Sequence, residues 1–149
     1  MTEKQWATMV AIVTTLMTTV LAVASNYSVW PDEMAVAERL RYTLENSLMV
    51  LSPFILSWLP YVFVRSAAVL GGVVASFGLM MTLWLVDDTG GWLLFIYLFW
   101  AIGAFFVALY PAFAKPPFFV KTAKRAFMLS VVFTLVGGFV VGLLVSRLF

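Results

Sequence analysis

The sequence predicts an all-α integral membrane protein, a bundle of five transmembrane helices (alternatively four) with one short amphipathic interfacial helix. Three observations point there. Of 149 residues, 64% are hydrophobic and 11% charged, against roughly 45–50% and about 25% in a soluble domain. All sixteen charges fall outside five apolar stretches, 6–25, 46–64, 66–86, 92–110 and 126–146, each near the ~20 residues that cross a hydrocarbon core as a helix. None of the stretches alternates with period two, and a lipid-exposed backbone must satisfy its own hydrogen bonds, so helices are favoured over a barrel. An ordinary cytosolic fold, a disordered tail and a nucleic-acid-binding domain are excluded. Nine Lys/Arg against seven Asp/Glu is too small a surplus for a polyanion partner. With no Cys and no His, thiol chemistry and the commonest general base and metal ligand are absent, and no catalytic or metal-ligating set is assigned. The chain reads as a single domain, 1–149.

The first stretch ends in Ala22-Val23-Ala24-Ser25, which a signal peptidase could cut. Its apolar run of 20 exceeds the usual 7–15 of a signal peptide, and a single Lys precedes it, so a retained helix is expected. Thr8, Thr14, Thr15, Thr18 and Thr19 can bond carbonyls one turn back. Trp30-Pro31-Asp32-Glu33 reads as a helix start, since Pro suits a first turn and acids suit the positive dipole end. Met34, Ala37, Leu40, Leu44 and Leu48 follow at helical spacing, and Glu38, Arg41 and Glu45 can pair along the other face. This is the interfacial helix, leading into the second span. Glu38 with Glu45 could hold a cation, but the neighbouring Arg39 and Arg41 favour a structural role.

Arg65 is the sole charge between residues 45 and 87. One helix of that length would be about 60 Å long, twice the bilayer, so a hairpin is expected with Arg65 reaching the surface. Asp87-Asp88-Thr89-Gly90-Gly91 reads as a polar turn with too few oxygen ligands for Ca²⁺. The segment Lys115 to Arg125 carries Lys115, Lys121, Lys124 and Arg125 around Phe118 and Phe119, a basic loop facing anionic lipid. Small residues (Gly71, Gly72, Ala75, Ser76 and Gly78; Ala104 and Ala108; Gly138 and Gly142) are expected to let helices approach closely. Val141 is expected on another face.

With five spans, Lys4, Arg65, Lys115, Lys121, Lys124 and Arg125 share one side, and Arg39, Arg41 and Arg147 the other. Excess Lys/Arg stays cytoplasmic. The N-terminus is therefore expected inside, the C-terminus outside, and the chain in the plasma (inner) membrane. Trp6, Tyr61 and Tyr110 on the inside, with Tyr27, Trp30, Trp84 and Trp92 outside, read as interfacial anchors.

Glu38, Arg39, Arg41, Asn46, Leu48, Pro53 and Phe54 resemble the start of the second helix in the MAPEG family, the membrane-associated proteins in eicosanoid and glutathione metabolism. The resemblance implies four-helix subunits, a homotrimer, and glutathione held between subunits by groups such as Arg39, Arg41 and Asn46, with Tyr110 at the place of a family tyrosine. Met49 replaces the family's carboxylate, Leu44 its His or Gln, and Gly103 its arginine seven residues before the tyrosine.

No ionisable group lies inside the five stretches, which disfavours a proton- or ion-coupled transporter. The leading expectation is a non-catalytic membrane protein that acts through helix–helix contacts as an accessory subunit, immunity-type protector or scaffold. Its partners would be the lipid bilayer and either a homo-oligomer or another membrane subunit, with no nucleic acid and no cofactor. A MAPEG-like protein binding glutathione is the alternative. A facilitative solute path, lined by the threonines of the first span with Ser52, Ser57 and Ser76, is a third.

Overall fold

The computed structural model describes residues 2–60, 66–86, 92–114 and 116–147, with helices and no strand among them. The helices are α1 (Glu3–Val29), α2 (Val36–Leu56), α3 (Ala67–Val86), α4 (Trp92–Ala114), the single turn α5 (Pro117–Val120) and α6 (Ala123–Ser146). The expected turns at Arg65 and at Asp87 to Gly91, together with Tyr61 and Lys115, lie outside the described residues. Two segments, Glu3–Val29 and Ala123–Leu144, are long and apolar enough to cross a membrane; the apolar stretches Ala67–Leu83 and Phe99–Pro111 are shorter.

Helix directions follow from side-by-side contacts. Gly71 lies against Ala7 and Gly78 against Thr14, so α1 and α3 run parallel. Gly72 lies against Phe127 and the Ser76 hydroxyl is 3.4 Å from the Val131 carbonyl, so α6 runs the same way. Gly142 meets Phe99 and Gly137 meets Val107, which makes α4 antiparallel to α6. Asn26 bonds Ser47, while Phe54 lies near Gly78 beside Thr14 and Thr18, so α2 is antiparallel to α1. Helices α1, α3 and α6 thus begin at one end of the bundle, and α2 and α4 begin at the other.

The third helix is the centre. Its Val69, Val73, Val74, Phe77 and Met81 are buried, as expected of a helix apolar on all sides, and it packs on both α1 and α6. Glycines set the spacing. A Cβ at Gly71 would lie 2.6 Å from the Ala7 carbonyl oxygen, and one at Gly72 2.5 Å from that of Phe127. Helix α4 seats on α6 through Gly103, which meets the backbone of Gly138 and Gly142, and through Trp100, whose ring covers Gly138. The Trp100 indole Nε1 donates to the Leu135 carbonyl at 3.1 Å, and its ring packs 4.8 Å from that of Phe77. Val141 belongs to this contact, 3.1 Å from where a Cβ of residue 103 would stand, and not to a separate face. Position 141 is three residues beyond 138, which on a helix is a neighbouring position.

The amphipathic segment and the start of the second span form one continuous helix, Val36–Leu56, that begins later and ends earlier than expected. Residues 31–34 form a turn closed by the Met34 amide on the Pro31 carbonyl, leaving Ala35 at the N-cap. The residue before proline avoids the α region, and Trp30 is extended accordingly. At the other end, Pro53 has no N–H for the Met49 carbonyl, and the Ser52 hydroxyl donates to it at 2.7 Å instead. The amides of Ser57 and Trp58 then bond three residues back, to Phe54 and Ile55, the tighter pattern with which helices commonly close.

Gly138→Leu and Gly142→Leu should each lower thermal stability in detergent by the ~1–3 kcal/mol typical of overpacking, or more. Val140→Leu, at an exposed position, should leave the melting temperature unchanged. Equal melting temperatures for all three variants would refute the α4–α6 contact.

Candidate functional site

The polar chemistry is at the two ends. Where α1 finishes, Arg39 folds back over its last turn. Its Nε and Nη2 donate to the Tyr27 carbonyl at 3.1 and 2.9 Å, its Nη1 pairs with Asp32 at 2.7 Å, and its guanidinium lies 4.0 Å from the centre of the Tyr27 ring. The last carbonyls of a helix lack intrahelical donors and carry its negative dipole end, so Arg39, only 12% exposed, is a cationic C-terminal cap for α1. This explains the late start of α2, since Asp32 serves Arg39 rather than a helix N-terminus. Arg41 points outward and pairs with Glu45 at 2.9 Å. The hydrogen bond to Glu45 and then its charge hold the Arg41 guanidinium above its ordinary pKa.

Below Arg39, Asn26 Nδ2 donates to the Ala22 carbonyl at 2.9 Å and to Ser47 Oγ at 3.2 Å, tying α1 to α2. The hydroxyl of Thr43, a residue 1% exposed, has no hydrogen-bond partner among the described residues. Threonines elsewhere in α1 satisfy their own helix: Thr8, Thr15 and Thr19 donate to carbonyls four residues back. Ser57 does the same three residues back and Ser76 four, so these hydroxyls do not form a continuous polar lining.

The residues implied by the MAPEG resemblance are not gathered within the chain. Arg39 and Arg41 are at the end where α1 finishes, and half-buried Asn46 lies below them on α2. Tyr110 lies toward the opposite end on α4, stacked on Phe133 at 5.7 Å. At Gly103 any side chain would strike the α6 backbone, 2.7 Å from the Gly142 nitrogen; an arginine there is sterically forbidden. Glu38 and Glu45 are not joined in a cation site, since Glu45 serves Arg41. Among the described residues no three His, Cys, Asp or Glu side chains come together as metal ligands.

At the other end, Lys4, Lys121, Lys124 and Arg125 are exposed. Thr2 and Gln5 cap α1 reciprocally, and the Glu3 carboxylate accepts from the Lys124 amide at 3.2 Å, stitching α1 to the start of α6. The basic loop is pinned by Phe119, which is fully buried and edge-on to Phe133 at 5.9 Å, whereas Phe118 is exposed. Sequence reasoning did not single out Trp100 or Glu3. A lone Trp in an aromatic-rich stretch carries no periodic signal, and the Glu3–Lys124 contact joins residues 121 apart.

Fold and ends together define a helical chain with two helices able to cross a membrane; among the described residues Arg39 and Arg41 pair with carboxylates at one end, and Lys4, Lys121 and Lys124 form no salt bridge at the other. No protein-family model matches it, and no solved structure matches it. It is 40% identical over 157 aligned positions to the uncharacterized protein PM1189 of Pasteurella multocida (strain Pm70), with 99% of each chain covered. The chain belongs to the same family as that protein.

Two outcomes are expected at the Arg39 end. Arg39→Lys should cost about 2 kcal/mol, the scale of hydrogen bonds to a charged group, because an ammonium cannot span Tyr27 and Asp32 as the fork does; Arg41→Lys should leave the melting temperature unchanged. Thr43→Val should be neutral or stabilising, since it removes a buried unsatisfied hydroxyl at nearly constant shape. Ser47→Ala should destabilise by roughly 1 kcal/mol through the lost bond from Asn26. Melting curves of the four variants in detergent check both.

Proposed function

We propose that this is a five-span integral membrane protein of the plasma (inner) membrane, N-terminus cytoplasmic, that serves without catalysis as an accessory subunit, protector or scaffold for another membrane protein. The observation that carries the reading is the disposition of surface chemistry along the bundle. Charged side chains occupy its two ends, and between them α1 presents exposed Met9, Ile12, Leu16, Met17 and Val20. In water such a band would be an unusually large apolar patch; in a bilayer it is a lipid- or helix-facing wall. The alternation of helix directions and the excess of Lys/Arg where α1, α3 and α6 begin support the same orientation.

The glycine faces are used within the chain, so a partner helix would meet α1 or α2 rather than the Gly138–Gly142 face. The hydroxyls of Thr15, Thr19 and Ser76 bond the carbonyls of their own helices, which supports a contact role over a solute path.

A reporter fused after Phe149 should report the external side, and one inserted between 115 and 125 the cytoplasm; both on one side would reject five spans. A photo-crosslinking residue at Leu16 should give one discrete protein adduct in native membranes, and lipid adducts alone would reject the accessory role. Glutathione binding by the purified protein, or solute uptake into vesicles containing it, would replace this reading with the corresponding alternative.

A further inference from the structure

We propose that the cleft between the first turns of α1, α3 and α6 holds the phosphate of an anionic glycerophospholipid from the adjoining membrane leaflet. The inference rests on the membrane-spanning reading and names a partner for it. The cleft, about 270 Å³, has Lys4, Ser66 and Thr122 on its polar side and Val120, Ala123 and Ala126 on its apolar side. The Thr122 hydroxyl accepts from the Arg125 amide at 3.2 Å, and that of Ser66 lies 3.5 Å from the Val69 amide. Neither hydroxyl hydrogen, nor the Lys4 ammonium, is donated to an acceptor among the described residues. The polar wall therefore offers several donors at once, which suits the acceptor-only oxygens of a phosphodiester.

Charge balance argues in the same direction. At the far end Arg39 pairs with Asp32 and Arg41 with Glu45, leaving Arg147 as the cation there with no carboxylate partner among the described residues. At this end no carboxylate pairs with Lys4, Lys121, Lys124 or Arg125 among the described residues, and Glu3 is engaged by a backbone amide. Glu3 is thus the one described carboxylate set against these four cations, and the excess of positive charge attracts an anion from outside the chain. A lipid is favoured over a soluble anion because Ala68, Val120, Ala123 and Ala126 line the cleft, and exposed Trp6 and Phe118 at the same end of the bundle suit the headgroup boundary. The neighbouring cleft sets the Glu3 carboxylate beside Lys124, so its cation is already faced by a charge of the chain and it suits an anion less well.

The test uses the full chain recovered from a carbonate-washed membrane fraction, so that failure to insert is seen before any lipid is measured. Native mass spectrometry should show one retained phosphatidylglycerol in preference to phosphatidylcholine. Lys4→Gln should weaken retention on the order of five- to tenfold, one cation's share of the attraction to an anionic leaflet. Lys4→Arg should preserve it, and Lys121→Gln and Arg147→Gln should have smaller effects. Phosphatidylglycerol, but not millimolar inorganic phosphate, should raise the melting temperature. Equal retention of the two lipids, equal loss in Lys4→Gln and Lys121→Gln, or equal stabilisation by inorganic phosphate would each overturn the assignment. The first would mean no headgroup selectivity, the second a diffuse charge effect and the third a soluble anion.

Discussion

Backbone-to-backbone contact between α4 and α6 is the constraint on which the packing depends. In the membrane setting proposed above, apolar side chains would gain nothing by meeting one another, and helices would associate through dispersion at close range. Gly103, Gly138 and Gly142 remove the side chains that would prevent this, and Trp100 then fits over Gly138 with its indole N–H on the Leu135 carbonyl. The same ring touches Phe77 of α3, so the α4–α6 spacing determines how the central helix is gripped. Gly71 and Gly72 repeat the arrangement on two sides of α3, against α1 and α6.

Polar groups are managed by a parallel economy. Each serine or threonine that bonds the carbonyl behind it is neutralised within its own helix, and Ser52 fills the gap that Pro53 leaves at Met49. Among the described residues, polar contacts between helices fall where two elements are held in register: Asn26 to Ser47, Arg39 to Tyr27, Trp100 to the Leu135 carbonyl, Ser76 to that of Val131, and Glu3 to the amide of Lys124.

The helical class was legible because sixteen charges leave five long intervals free, a pattern that follows directly from the cost of burying charge. The back-bonds of Thr8, Thr15 and Thr19 were legible too, since a hydroxyl four residues from a carbonyl is a local relation. The boundaries of α2 were not. Pro31 and Asp32 have the local signature of a helix start, and only the distant need of the α1 C-terminus for a cation reassigns Asp32 to Arg39. Gly103 stood out in the sequence as a missing arginine, whereas its physical role, contact with two other glycines, depends on a register between helices that no local pattern encodes. Val141 was misplaced for the same reason. The cleft at Lys4 brings together residues from three separate stretches, each unremarkable alone.

Helix direction has an electrical consequence. Among the described residues three long helices begin at the basic end and two at the other, so their peptide dipoles do not cancel; one helix's worth remains, equivalent to about half an elementary charge at each end. In the proposed orientation its positive pole lies on the cytoplasmic side, which is negative in an energised cell. A displacement of one full charge through such a field is worth about 2.3 kcal/mol per 100 mV. The residual dipole would therefore contribute on the order of 1 kcal/mol per 100 mV toward keeping the bundle in this orientation. The membrane potential and the lysines would act in the same sense.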